Sequence, residues 1–496
     1  MFETLEIGRK IKGKDFDEAV LKLRQQLLAL QFELEDKPWP VIVIVSGVEA
    51  AGKGTVVHRL NEWMDPRGIY TYAFWDYSDE EEARPFYWRF WRAMPAHGKI
   101  GIFFGSWYTR PIIDRVYGKI SDAELDAEMQ RISEFEHMLS DDGALIVKLW
   151  LHLSEEGVRE RLDKRTKQHL KSFNIPEENV KYTRRYQDFK VVSERALRQT
   201  DSSYGPWHLI EAQNANYRDL TAGEILLDSM REHLEKHNNK QHWHEPGESL
   251  VPDQPTILDT VDTEAVLEPD EYKVKLKEYQ SKLAELCWQA REQGVSCVAV
   301  FEGWDAAGKG SAIRRVTQAI DPRLFRLVQF AAPTDEERAH HYLWRFWRQL
   351  ERDGKHTFFD RSWYGRVLVE RVEGFAHYDE WQRAYHEINR FEEQIAEHGS
   401  VVLKFWIHID EDEQLARFKA REVTPHKMHK ITEEDWRNRD KWHEYEVAVH
   451  DMVTHTSTAY APWTLVAGND KRYARIQILK TFCKRMEAAL DKKEPD

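Results

Sequence analysis

Two stretches of the sequence, GVEAAGKGT at Gly47–Thr55 and GWDAAGKGS at Gly303–Ser311, share the spacing Gly-x-x-x-x-Gly-Lys. Each follows an apolar segment of strand length, and a helical pattern begins at the lysine. In a phosphate-binding loop (P-loop), this order lets backbone N–H groups and the helix N-terminus converge on phosphate oxygens. The sequence therefore predicts two P-loops.

The two loops belong to a repeat that runs through the chain. They lie 256 positions apart, and the same offset relates WRFWR at Trp88–Arg92 to WRFWR at Trp344–Arg348. A constant offset over so long a stretch indicates two whole domains in tandem. In each half, near-continuous apolar strands alternate with helices, which predicts a parallel sheet covered by helices on both faces. The predicted fold class is α/β.

The join between the repeats has the composition of a linker. Residues 241–269 contain four prolines and little apolar periodicity. Such a stretch is typical of a connection between domains. We therefore predict an N-terminal domain at 1–240, a linker at 241–269 and a C-terminal domain at 270–496.

Composition limits the classes of function. The 496 residues include 72 Lys and Arg against 86 Asp and Glu, a formal net charge of −14, which disfavours generic binding to nucleic acid or to an anionic membrane. The longest apolar runs are strand-sized, far short of the roughly 20 residues that span a bilayer. Three cysteines are too few for a disulfide framework. These features predict a cytoplasmic globular protein.

A second motif, FFDRSWYGR at Phe358–Arg366, supplies acidic and basic candidates. An aspartate that ends an apolar strand emerges at the carboxyl edge of the sheet, beside the P-loop, where a Mg²⁺ ligand is needed, so we assign that role to Asp360. Arg361 and Arg366 then neutralise charge on a transferring phosphoryl group. Ser311 is displaced by one position from the usual hydroxyl of a P-loop, and Asp305 compensates as a second metal ligand.

Several motifs together resemble the polyphosphate kinase 2 family. They are GWDAAGKGS, PTDEE at Pro333–Glu337, DRSWYGRVLVERVEGF at Asp360–Phe375 and APWTLVAGNDKRYAR at Ala461–Arg475. The resemblance implies two thymidylate-kinase-like three-layer α/β/α domains, each with a helical lid. It also implies Mg²⁺-dependent phosphoryl transfer between inorganic polyphosphate and a nucleotide. Two-domain members of the family are associated with AMP as acceptor, giving ADP.

The candidate site residues lie in the C-terminal half. The predicted catalytic residues are Asp305, Lys309, Asp360, Arg361 and Arg366, with Asp305 and Asp360 as ligands of Mg²⁺. The predicted phosphate-binding residues are Gly303, Gly308, Gly310, Ser311, Arg421, Arg439, Lys441, Lys471 and Arg475. The predicted supporting residues are Glu370, Arg371 and Asp470. Arg421, Arg439 and Lys441 belong to a basic stretch at about 413–458, which we interpret as a lid that lines a channel for polyphosphate.

The repeat allows the two halves to be compared residue by residue. Asp360 and Arg361 correspond to Phe104 and Gly105, and Asp305 corresponds to Glu49. The first half keeps the residues of a degenerate site, namely Glu49, Gly52, Lys53 and Thr55. Our hypothesis is that residues 270–496 catalyse, while residues 1–240 support the fold, bind polyanion or take the place of a partner subunit.

Other functions stay open at this point. One alternative is polyphosphate-dependent phosphorylation of ADP or GDP, and another is an ATP-dependent nucleoside monophosphate kinase. From a different class, the chain is a polyanion-binding or regulatory protein with residual P-loops. The sequence does not determine the nucleotide preference, the polyphosphate length, the direction of the reaction in the cell, or the oligomeric state, and a homo-oligomer is compatible with it.

Overall fold

A computed structural model of the chain describes residues 1–167, 185–238, 255–424 and 431–492. These residues form two compact units. The first comprises the described residues of 1–77, 89–241 and 335–341, and the second those of 78–88, 242–334 and 342–496. Each unit therefore contains one short segment from the other half of the sequence.

The first half of the chain builds a five-stranded parallel sheet. Its strands are β1 (Val41–Gly47), β2 (Ile69–Ala73), β3 (Ile100–Phe104), β4 (Leu145–His152) and β5 (Trp207–Glu211). Their spatial order is β2-β3-β1-β4-β5, so the strand that leads into the P-loop lies at the centre. The α-helices of this half are α1 (Gly13–Leu34), α2 (Lys53–Trp63), α3 (Asp79–Glu82), α4 (Trp88–Arg92), α5 (Thr109–Val116), α6 (Asp122–Asp141), α7 (Glu155–Lys167), α8 (Tyr186–Thr200) and α9 (Ala215–Asn238).

The second half repeats this sheet. Its strands are β6 (Cys297–Gly303), β7 (Phe325–Gln329), β8 (His356–Asp360), β9 (Val401–His408) and β10 (Trp463–Ala467). Their order, β7-β8-β6-β9-β10, is the same, and all pairs are parallel. The α-helices are α10 (Pro269–Gln293), α11 (Lys309–Thr317), α12 (Asp335–Arg338), α13 (Trp344–Trp347), α14 (Val369–Val372), α15 (Tyr378–Glu397), α16 (Glu411–Glu422), α17 (Glu433–Asp440), α18 (Trp442–Thr456) and α19 (Lys471–Leu490). The predicted α/β class with two tandem parallel sheets is confirmed.

Local sequence explains where these elements form. The central strands β1 and β6 consist largely of Val, Ile, Phe and Ala, and β1 is buried from Val41 to Val45. Such continuous apolar runs suit strands that are covered on both faces. Helix α6 begins after Ser121, whose hydroxyl accepts from the Glu124 amide while the Glu124 carboxylate accepts from the Ser121 amide, a reciprocal cap.

A buried ion pair is common to both halves. Lys404 on β9 donates to Glu392 at 2.7 Å and to the Tyr364 hydroxyl at 2.8 Å. In the first half, Lys148 donates to Glu136 at 2.7 Å, and both members of each pair are fully buried. Removing one partner of such a buried pair strongly destabilises the folded protein, because the other charge stays buried and unpaired. The first half has Phe104 and Gly105 in place of Asp360 and Arg361, yet it has the corresponding buried pair. We therefore assign the pair to the fold rather than to catalysis.

The end of the predicted linker is structured. Residues Ile257–Thr260 form a 3-10 helix with Leu258 buried, and the Leu267 amide donates to Asp470 at 3.0 Å. The first half has a 3-10 helix at the matching place, Phe2–Leu5. The repeat therefore begins upstream of α10, within the predicted linker. The domain boundaries themselves stay a prediction.

The predicted lid of the second half lies in three helices, α16, α17 and α18. Lys427 and Lys430, two cations of that stretch, fall outside the described residues. In the part of the chain that the structure describes, no helix is both long and apolar enough to cross a membrane.

Candidate active site

The second P-loop connects the central strand β6 to α11. Ala306 and Gly308 adopt left-handed backbone conformations, with φ of 62° and 112°, and the helix begins at Lys309. Lys309 donates to the carbonyl oxygens of Gly303 at 2.6 Å and Trp304 at 3.4 Å, so its ammonium lies inside the turn. A Cβ added at Gly308 would meet only the Ser311 hydroxyl, at 3.5 Å, so the loop is open on that side.

The turn after β8 brings the second motif to the same edge of the sheet. Asp360 ends β8 and pairs in register with Phe301 on β6. Arg361 follows with φ of 65°, a conformation that is uncommon for a residue with a side chain. Its guanidinium is about half exposed and lies 4.0 Å from a carboxylate oxygen of Glu434. Ser362 then starts a 3-10 helix, Trp363–Arg366, by accepting from the Tyr364 amide.

Glu302 is a functional candidate that sequence reasoning missed. It precedes the P-loop on β6, is almost fully buried, and accepts a hydrogen bond from the Ser362 hydroxyl at 2.7 Å. Burial raises the pKa of Glu302, while the charges of Lys309 and Arg361 lower it and that of Asp360 raises it. The hydrogen bond to Ser362 places this carboxylate beside the turn that carries Asp360 and Arg361, and its strand leads into the loop that precedes Lys309. The signal in the sequence was the pairing of Glu302 with Ser46 across the repeat.

Each of the three lid helices contacts the P-loop. Asn438 on α17 donates to the Asp305 carboxylate at 2.9 Å. Trp442 at the start of α18 stacks on Trp304, with ring centroids 3.7 Å apart and an angle of 8°. Arg417 on α16 donates to the carbonyl oxygens of Ala306 and Ala307, and burial lowers its pKa. Arg417 is one of the basic residues of the predicted lid, and its contacts show that it supports the loop's backbone.

The other predicted lid cations have partners within the unit. Arg439 donates to the backbone and side chain of Glu411, at 2.8 and 3.0 Å. Lys441 lies 3.2 Å from Glu373, a buried carboxylate. Arg421 lies in the last turn of α16, half-buried, and its charge acts on Arg417. The Arg439 contacts join α17 to α16, and the Lys441 pair joins the lid to the residue after α14. The assignment of the three residues to a polyphosphate channel stays a prediction.

Arg366, the last residue of the second motif, and Arg371, which follows it, are also paired. Arg366 lies 3.1 Å from Glu370, and its guanidinium covers the ring of Tyr342 at 4.6 Å. Arg371 pairs with Asp451 at 2.8 Å, which joins α14 to α18. The assignment of Glu370 and Arg371 as supporting residues stays a prediction.

The start of α19 contributes one contact to the P-loop helix. Arg475 donates to the Ser311 hydroxyl at 3.4 Å, so the structure brings these two predicted phosphate-binding residues together. Asp470, a predicted supporting residue, caps α19 by accepting from the Arg472 amide at 2.6 Å. Lys471 is the first residue of that helix.

The first-half loop has the same backbone but a different environment. Gly52 has φ of 92°, and Lys53 donates to the carbonyl oxygens of Gly47 and Val48 at 2.9 and 3.1 Å. Arg218, which is 3% exposed, lies so close to Gly52 that a Cβ there would collide with its guanidinium. Within that loop Arg218 donates to the Ala51 carbonyl at 3.1 Å.

The guanidinium of Arg218 is also satisfied on its other side. Its Nε donates to Asp219 at 2.7 Å, and burial raises the pKa of Asp219. The corresponding residues of the second half are Ala474 and Arg475. In the first half, the Arg218–Asp219 ion pair therefore lies against the loop. At the matching place in the second half, Arg475 donates to Ser311. The rest of the degenerate site consists of Glu49, 3.8 Å from Lys53, and exposed Thr55.

Comparison with known proteins gives the same pattern of two repeats. The family model described as polyphosphate kinase 2 matches residues 10–238 and again residues 266–494. The chain belongs to the polyphosphate kinase 2 family.

Relatives within this family cover the whole length of the chain. A polyphosphate:AMP phosphotransferase of Pseudomonas aeruginosa is 49% identical over 494 residues, which are 99% of this chain and 100% of that protein. A polyphosphate:AMP phosphotransferase of Pseudomonas syringae pv. tomato is 48% identical over 498 residues, and the match covers both chains completely. The crystal structure of a polyphosphate kinase 2 from Pseudomonas aeruginosa PA01 superposes with a TM-score of 0.89 at 48% identity and full coverage of both chains. The family resemblance read from the motifs is thus confirmed.

Proposed function

We propose that the chain is a polyphosphate:AMP phosphotransferase, which transfers the terminal phosphoryl group of inorganic polyphosphate to AMP and gives ADP. The observation that carries this proposal is the full-length similarity to two-domain proteins of that name. The geometry supports it because β6, which leads into the P-loop and Lys309, pairs in parallel with β8, which ends at Asp360 and is followed by Arg361. Three buried, unpaired cysteines fit a reducing compartment, and we place the reaction in the cytoplasm.

The proposed transfer needs charge neutralisation more than a general base. By analogy with phosphorylated side chains, the second pKa of a nucleoside monophosphate is about 6. Its attacking oxygen is therefore largely ionised at neutral pH. That oxygen forms a bond to the terminal phosphorus, and the bond to the bridging oxygen breaks with its electron pair left on the shortened polyphosphate. Lys309 and Arg361 supply positive charge at this point, and Arg366 lies one turn further along the same segment.

The carboxylates present fit a magnesium ion that substrate phosphates help to hold. Mg²⁺ is commonly bound through one or two carboxylates together with phosphate oxygens and water. We assign this role to Asp305, in the loop after β6, and to Asp360, at the end of the neighbouring strand β8. Among the described residues, no group of three or more His, Cys, Asp and Glu could hold a metal. When bound, Mg²⁺ neutralises charge that develops on the transferred group. Asp305 is kept in place by the hydrogen bond from Asn438.

We further propose that only the second half catalyses. The first half lacks the carboxylate and the guanidinium of Asp360 and Arg361, and the Arg218–Asp219 pair covers its loop. Two unit charges about 4 Å apart interact by roughly 4 kcal/mol at an effective dielectric of about 20. If a loss of that size falls on the transition state, the rate decreases by about a thousandfold.

One assay tests the proposed activity. The purified chain is incubated with polyphosphate and Mg²⁺, in the absence of ATP, with AMP, ADP, GMP or GDP in parallel, and products are separated by ion-exchange chromatography. We expect ADP from AMP as the main product. A parallel reaction with ATP in place of polyphosphate tests the monophosphate kinase alternative. The proposal would be contradicted if product formed with ATP but not with polyphosphate as donor. It would also be contradicted if polyphosphate phosphorylated ADP and GDP but not AMP.

A further inference from the structure

Glu302 differs between the two halves in the same way as the catalytic candidates. The half that has Asp360 and Arg361 has a buried carboxylate at 302, and the half that has Phe104 and Gly105 has Ser46 there. By contrast, the buried Lys404–Glu392 pair has a counterpart in the first half, Lys148–Glu136. A residue that only stabilised the fold would be expected in both copies. Its distribution therefore connects Glu302 with the site.

The hydrogen bond made by Glu302 leads directly to Arg361. Glu302 accepts from the Ser362 hydroxyl at 2.7 Å, and Ser362 is the residue after Arg361. A hydrogen bond to a buried carboxylate is shorter and stronger than one between neutral groups. It fixes the backbone of the turn at its C-terminal side, next to the position where Arg361 has φ of 65°.

The conformation of Arg361 needs such support. A left-handed backbone is unfavourable for a residue with a Cβ and persists where surrounding contacts determine it. The first half has Gly105 at this place, with φ of 78°, and glycine adopts that conformation without steric cost. Ser106 is also retained there and accepts from the Tyr108 amide at 3.4 Å, as Ser362 does from Tyr364 at 3.3 Å. What the second half adds is the bond to Glu302.

We propose that Glu302 is a positioning residue, which holds Ser362 so that the intervening turn presents the guanidinium of Arg361 to the transferring phosphoryl group. This inference rests on the proposed function, since it assigns Arg361 to the transition state. Glu302 acts through Ser362 and does not itself contact substrate. The variant Ser362→Ala removes the donor, and Ser106→Ala removes the matching hydroxyl, which accepts from the Tyr108 amide.

The test measures kcat and the KM for AMP and for polyphosphate, together with the melting temperature. We expect Ser362→Ala and Glu302→Ala each to lower kcat about tenfold or more, with each KM within about twofold. Glu302→Gln keeps an acceptor oxygen and is expected to stay within about threefold of the wild type. Ser106→Ala is expected to leave kcat unchanged.

A double-mutant cycle separates positioning from a general loss of stability. Arg361→Gly introduces the residue of the first half and removes the guanidinium. If Ser362 acts through Arg361, then Ser362→Ala lowers kcat in the wild-type background but not in the Arg361→Gly background. An equal decrease in both backgrounds, or wild-type kcat in Ser362→Ala, would overturn the inference. Because all values are relative to the wild-type AMP reaction, a failure of the proposed function shows separately, as a missing baseline.

Discussion

Asn438 of α17 donates its side-chain amide to the carboxylate of Asp305 in the P-loop, at 2.9 Å. This hydrogen bond connects a lid helix to one of the two carboxylates that we assign to magnesium. It leaves the other oxygen of Asp305 out of that contact. The position of the lid and the orientation of the metal ligand are therefore linked.

We expect Asn438→Ala to weaken the response of the enzyme to magnesium. Without the amide, the Asp305 side chain gains rotamer freedom that must be lost again when the metal binds. The Mg²⁺ concentration for half-maximal activity should increase by about two- to fivefold, a change of about 0.5–1 kcal/mol. The measurement is a titration of initial rate against Mg²⁺ at saturating substrates.

A surface asparagine of the first half provides the control for this variant. Asn61 donates to the Val57 carbonyl at 2.8 Å on its own helix. Asn61→Ala should leave the magnesium response unchanged. A normal half-maximal concentration in Asn438→Ala would remove the link between lid and metal ligand.

The Arg218–Asp219 pair should contribute strongly to the stability of the first half. Arg218→Ala removes the cation nearest to the buried Asp219 carboxylate and leaves Arg59, which is 3.8 Å away. Breaking a buried pair costs about 3–5 kcal/mol. The exposed pair Arg231–Asp228, 3.2 Å apart in the same half, is the matched control, and Arg231→Ala should cost less than about 1 kcal/mol. Chemical denaturation with each transition assigned to its half makes the comparison. Similar small losses in the two variants would show that the pair is not a structural feature of the loop.

The sequence predicted the elements that depend on pattern, and it missed those that depend on partners. Apolar runs and the turn Gly303–Lys309 determine a parallel sheet and a P-loop, because they act through local periodicity and backbone geometry. The role of the Glu302 carboxylate was missed, because the sequence of an apolar strand does not show which hydroxyl a single acidic residue in it will bind. For the same reason, the sequence predicted Asp470 as a supporting residue without showing that it caps α19.

The lid illustrates a related limit. The density of Arg and Lys between α16 and α18 suggested a cationic channel. Arg417 is bound to P-loop carbonyls and Lys441 to Glu373. Charge along a sequence therefore predicts a basic region, but which cations face a substrate depends on the acidic residues that tertiary structure brings beside them.

His356 should make the second half sensitive to acid. It lies at the start of β8, fully buried, and neither ring nitrogen has a hydrogen-bond partner in the described part of the chain. Burial lowers the pKa of His356 to about 4, whereas an unfolded histidine has a pKa of about 6.5. The unfolded state therefore binds the proton first, and about 3 kcal/mol of stability, present above pH 6.5, is lost as the pH decreases toward about 4.

The first half supplies the variant that tests this pH dependence. Its residue at the matching position is Ile100, which is also fully buried. Because burial also lowers the pKa of His408 on β9 to about 4, His356→Ile should remove about half of the decrease in the melting temperature of the second half between pH 6.5 and 4.5. If the variant and the wild type lose stability in parallel over this range, another group is responsible.

The central claim is that the second P-loop catalyses and the first does not. Parallel measurement of kcat for polyphosphate-dependent ADP formation by Lys309→Ala and Lys53→Ala tests it most directly. We expect Lys309→Ala to lose about a thousandfold, because a charge at the phosphoryl group is removed, and Lys53→Ala to stay within about twofold of the wild type. Equal losses in the two variants would contradict the account.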